Sequence, residues 1–115
     1  MVKWKIDYYS TPSGQEPVQK FIEKLAYMPR SRAHNTLELL AEFGTRLGLP
    51  HAKKVTGTPL WELRILGEKS LRFFYVAKAG HIFLLLHGFT KKTQKIPKKE
   101  IKTALMRLRE YKDRS

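Results

Sequence analysis

The sequence predicts an α+β fold: an antiparallel sheet of four to five strands, an N-terminal helical hairpin and a C-terminal helix. Three observations carry this. KWKIDYY alternates apolar and polar residues, the period of a half-buried strand. Two stretches between residues 16 and 44, and one after Pro97, space their apolar residues at three and four, as helices with one buried stripe do. Between them lie LWELRIL, LRFFYVAK and HIFLLLHGF, three β-rich runs joined by short connections, which makes an antiparallel meander the default arrangement.

The elements follow in order. Trp4, Ile6 and Tyr8 share one face of the first strand, and TPSG turns the chain. EPVQKFIEKLA places Val18, Phe21, Ile22 and Leu25 on one stripe behind Pro17, with Pro29 ending that helix. A second helix opens at Ser31, directs Ala33, Leu37, Leu40 and Ala41 inward and stops at Gly44. Residues 45 to 59 form a connection rich in glycine, proline and basic residues, with a short strand at AKKVTG. The meander then turns at GEKS and at Ala79-Gly80. Its last strand is apolar on both faces and is expected in the interior of the sheet. Pro97 opens the final helix, with Ile101, Ala104, Leu105, Leu108 and Tyr111 on its inner stripe, while Lys98, Lys99, Lys102 and Arg109 point outward. One domain of 115 residues accounts for the whole.

Composition narrows the chemistry. The chain has no cysteine, so thiolate metal sites, disulfides and cysteine nucleophiles are excluded. His34, His51, His81 and His87 match no common metal-ligand spacing, and no cofactor motif is visible. No run of apolar residues is long enough for a membrane span, so a soluble cytoplasmic protein is expected. Lys plus Arg is 23 against 10 acidic residues, a net charge of +13. A polyanion is the natural partner of that excess, because each neutralised phosphate releases counterions. Residues 88 to 115 hold ten of the basic and three of the acidic residues, so the excess concentrates at the C-terminal end.

Alternation decides which charged side chains are neighbours. In LWELRIL, Glu62 and Arg64 share a face; in LRFFYVAK, Arg72 lies with Phe74 and Val76. A charge within an apolar strand is costly unless it is paired or faces an opening. Two readings stay open: a structural ion pair of Glu62 with Arg64 or Arg72, or a phosphate clamp built from the two guanidinium groups. Lys91, Lys92 and Lys95 follow the last strand, either as a solvated basic loop or as part of one cationic surface with the arginines. His87, beside that loop, is either a hydrogen-bonded structural residue or a general acid or base. Basic residues alone suit RNA self-cleavage, in which a 2′-hydroxyl attacks its own phosphodiester and the phosphorane charge is offset by cations. Such an enzyme is weak unless another body positions the RNA.

The strand order, WELR at 61 to 64, the run RFFYVAKAGHIFLLLHGFTKKTQKIPKKEI at 72 to 101 and the closing basic helix resemble HigB-type toxins of the phage-derived Gp49-like group, within the RelE/ParE superfamily. The resemblance implies a RelE-like fold and a type II toxin: a ribosome-dependent mRNA endoribonuclease that inhibits translation and is held inactive by a cognate HigA-like helix-turn-helix antitoxin, with no metal or other cofactor. It implies catalytic roles for Arg64, Arg72 and Lys92, with Lys91 adjacent. Many RelE-like enzymes carry a proton-transferring tyrosine or histidine near the C-terminal helix; here the segment reads KIPKKE, leaving Glu62, His87 and Lys95 as candidates. The lysines from 91 to 99, including Lys98 and Lys99, are then RNA-binding. Two alternatives from other classes are a gyrase inhibitor without nuclease activity, as in the ParE branch, and a basic module that only positions phosphates.

Overall fold

The fold was analysed in a computed structural model, which describes residues 2 to 68 and 71 to 115. Its elements are β1 (Lys5–Tyr8), α1 (Pro17–Glu23), α2 (Tyr27–Phe43), a 3-10 turn (Gly44–Arg46), β2 (Ala52–Lys54), β3 (Trp61–Arg64), β4 (Leu71–Lys78), β5 (Ile82–Thr90) and α3 (Lys98–Arg114). They form one five-stranded sheet in the order β1-β5-β4-β3-β2. The meander from β2 to β5 is antiparallel, whereas β1 runs parallel to β5. The helical segment between β1 and the meander carries the chain over the sheet, which is what permits that parallel pairing.

A layer of helix covers each face. Val18, Ile22, Leu37 and Leu40 of α1 and α2 pack on Leu63, Phe73, Tyr75, Phe83 and Leu85. On the other face, Ala104 and Leu108 of α3 pack on Phe74, Val76, Leu84, Leu86 and Phe89. Because β4 and β5 are covered on both faces, their side chains are apolar in both phases of the alternation.

Two expectations shift. The second helix begins at Tyr27, four residues before Ser31, and Pro29 lies in its first turn. The amide that proline lacks has no acceptor there in any case, so it is compatible with a helix start. Lys69 and Ser70 of the expected GEKS turn lie outside the described residues; its first half is held from α2, where Arg32 donates to Gly67 O at 3.2 Å and to Glu68 Oε2 at 2.5 Å.

The β4–β5 ladder is interrupted once. Phe74 faces His87 and Tyr75 faces Leu85, so Leu86 is an extra residue in β5. This β-bulge resets the alternation: Leu86 packs in the α3-side core, and His87, hydrogen-bonded to α3, faces that same side. Beyond it, Gly88 lets Phe21 and Phe73 close over the strand. A Cβ at residue 88 would lie 2.6 Å from Phe21 Cδ2 and 2.8 Å from Phe73 Cε1. Gly88→Ala is therefore expected to cost about 1–3 kcal/mol through overpacking, read as a lower urea midpoint; an unchanged midpoint would show that the Phe21 ring yields freely.

Among the described residues, no helix is long and apolar enough to cross a membrane.

Candidate nucleic-acid interface

The open end of the α3 face is where the charges meet. β3 and β4 pair Glu62 with Phe74 and Arg64 with Arg72, while β2 places Lys53 opposite Glu62. Arg64 donates from Nε to Glu62 Oε1 at 2.9 Å. Arg72 Nε lies 3.7 Å from Glu62 Oε2, beyond hydrogen-bond length, and Arg72 Nη1 donates to Leu71 O at 3.1 Å. The Glu62 side chain is 4% exposed, that of Arg72 13% and that of Arg64 32%. Burial, opposed by the Glu62 carboxylate and reinforced by Arg64, lowers the Arg72 pKa from the usual arginine value. The ion-pair reading of these strands thus describes their geometry, and one carboxylate serves both arginines. Arg64 remains the accessible member.

A cleft of ≈ 760 Å³ opens beside it, lined by Arg64 and Glu62 of β3, Lys53 and Lys54 of β2, and Lys91 and Lys95 of the loop after β5. Two consecutive strands and the loop after β5, distant from them in sequence, therefore meet around one cationic space. The expected residues divide. Arg64, Glu62, Lys91 and Lys95 line the cleft, while Arg72, on the neighbouring strand beside Arg64, and the exposed Lys92 are outside the lining. Lys98 and Lys99 are exposed in the first turn of α3, also outside the lining.

His87 is placed elsewhere. Its Nδ1 lies 3.2 Å from Arg107 Nη1 and its Nε2 2.8 Å from Glu100 Oε1. Since a guanidinium only donates, Nδ1 is the acceptor, and Nε2 carries the proton given to Glu100. The ring stacks on Phe89 at 5.5 Å. Burial lowers the His87 pKa, with the Glu100 hydrogen bond opposing and Arg107 reinforcing. Both nitrogens are occupied and the ring does not line the cleft, so the geometry suits a tie between β5 and α3 rather than proton transfer to a ligand. A histidine whose folded pKa is depressed gives full stability above its unfolded value of 6.5 and loses it as pH falls from there toward the folded value. Urea midpoints measured from pH 7.5 down to pH 5 are expected to fall, and His87→Gln to flatten that fall; identical slopes would remove His87 as the cause.

Sequence reading missed Lys53, Lys54 and Arg107. The two lysines stand on a three-residue strand, too short for periodicity to show; their signal is only the pairing of AKK with WEL. Arg107 donates to Leu86 O at 2.9 Å as well as to His87, a role that exists only because the bulge presents that carbonyl. Among the described residues no cluster of side chains suits a metal ion.

Compared with models of protein families, residues 20–109 match the one described as phage-derived protein Gp49-like. No curated protein matches the chain.

Proposed function

The chain belongs to the Gp49-like family of phage-derived proteins, and from that premise we propose that it is the toxin of a toxin-antitoxin module, cleaving mRNA on the ribosome and so inhibiting translation. The observation that supports the reading most is the convergence of Arg64 with Lys53, Lys54, Lys91 and Lys95 on one cleft. Single-stranded RNA carries a phosphate at every nucleotide, and several cations gathered in one cleft complement that charge.

In the proposed reaction the 2′-oxygen bonds to phosphorus and the bond to the 5′-oxygen breaks, leaving a 2′,3′-cyclic phosphate and a 5′-hydroxyl. Arg64, held through Nε by Glu62, offers its guanidinium to the phosphorane oxygens, where stabilising charge is worth most. Glu62 fixes that guanidinium. The 2′-hydroxyl must lose a proton and the 5′-oxygen must gain one. Lys53 and Lys95 line the cleft and are the groups we assign to those transfers. An ammonium group can give a proton but has no lone pair to take one, so the lysine that receives the 2′-hydroxyl proton acts from its neutral amine form. The chemistry depends on a nucleotide already held in line, which is the task given to the ribosome. A cognate HigA-like antitoxin is the proposed inhibitor, and the cytoplasm the proposed place of action.

Primer extension on mRNA in a purified translation system tests this. Cleavage is expected only with ribosomes present. Equal cleavage of naked mRNA would remove the ribosome from the mechanism, and intact mRNA alongside DNA damage in expressing cells would favour the gyrase-inhibitor alternative.

A further inference from the structure

We infer that the chain has a second binding site, for an acidic peptide segment with apolar anchors, at the end of the α3 face opposite the cationic cleft. There the last turns of α3 diverge from β3 and β4 and leave a groove of ≈ 460 Å³, lined among others by Trp61, Val76, Leu108 and Tyr111, with Lys78 and Lys112 as its charged residues. Val76 and Leu108 belong to the α3-side core, so the groove floor is the open end of that core. Trp61 is 38% exposed. Along β4, Lys78 lies six residues beyond Arg72, about 20 Å away at the rise of a strand.

Charge and polarity choose the occupant. Lys78 contacts the Tyr111 hydroxyl and sits 4.6 Å from its ring centre. Among the described residues neither Lys78 nor Lys112 has a carboxylate partner, since Glu110 pairs with Arg114. Two uncompensated ammonium groups beside an apolar floor complement carboxylates flanking a bulky apolar side chain. A nucleobase would stack on Trp61 or Tyr111, so RNA is the competing occupant, and the oligouridylate arm of the test below decides between them. A second copy of the chain is disfavoured by a net charge of +13 on each. Lys54 of the cleft sits 5.6 Å from the Trp61 ring centre, so groove and cleft adjoin at Trp61, and Lys78 marks the far end of the groove. The inference stands whether or not the cleft cuts RNA.

Nuclear magnetic resonance of the 15N-labelled full chain tests it, since its two tryptophans give two indole N–H signals. The probe is an acetylated peptide with leucines at helical spacing among glutamates; its controls are the same peptide with serine for leucine, and oligouridylate. The leucine peptide is expected to shift the Trp61 signal saturably and leave Trp4 still. Lys112→Glu, at an exposed residue, should weaken that binding ~10-fold without altering the rest of the spectrum. An unmoved Trp61 signal, an equal response to the serine peptide, or an oligouridylate response that Lys112→Glu weakens as much as the peptide response would each overturn the inference. No arm uses cleavage, so a failed nuclease assignment and a failed groove assignment give different results.

Discussion

Glu62→Ala is expected to destabilise the protein by about 3–5 kcal/mol, because it strips the counter-charge from a buried arginine. Glu62 is the carboxylate within reach of both Arg64 and Arg72, and those two arginines face each other across β3 and β4. Without it, two guanidinium groups remain adjacent and uncompensated, and Arg72, the more buried of them, has little water to turn to. The residual exposure of Arg72 argues for the lower part of the range. A companion variant separates charge from packing: Glu62→Leu combined with Arg72→Met removes both charges and fills similar volume. Most of the lost stability should return, although the support for Arg64 does not. Urea denaturation of the three proteins decides the matter. If Glu62→Ala falls within about 1 kcal/mol of the original chain, in the range of a surface ion pair, the triad is not what holds this end of the sheet.

Arg64→Ala is expected to leave the fold in place and lower the mRNA cleavage rate by ~10²–10³-fold, the usual cost of removing one donor to the transition state. Its side chain is 32% exposed, so little packing is lost. Arg64→Lys should restore little, since a single ammonium group cannot bond Glu62 and also present a forked pair of donors to phosphate. Single-turnover cleavage on saturating ribosomal complexes, with folding checked by circular dichroism, is the measurement. Full activity in Arg64→Ala would sink the proposed role of this residue, whatever the fate of the lysines.

Different parts of the molecule were legible to different degrees. The alternation of KWKIDYY and LRFFYVAK and the stripe from Ile101 to Tyr111 come from neighbours in the chain, so the order of strands and helices could be read directly. The start of α2 could not, because Pro29 signals a stop in a helix interior and a start in a first turn, and which one applies depends on the backbone of the exposed residues Tyr27 and Met28, which is helical. Within the candidate site, the shared face of Glu62 and Arg64 follows from alternation alone. The placement of His87 does not. Unbroken alternation would set it beside Phe83 and Leu85 on the α1–α2 face, and the extra residue Leu86 turns it to α3 instead.

By itself, the amino-acid sequence determined the α+β class, the elements and their order, the excess of positive charge, and the residue types from which a site could be made. Only the tertiary structure decided that Lys53 and Lys54 join Arg64, Lys91 and Lys95 around one cleft, that Arg72 stays outside its lining while sharing Glu62 with Arg64, and that His87 ties β5 to α3. The physical reason is range: periodicity and turn chemistry act over a few residues. Strand register and a bulge are set by pairing between separate strands, and the meeting of β2 with the loop after β5 by the fold as a whole, both beyond the reach of local periodicity.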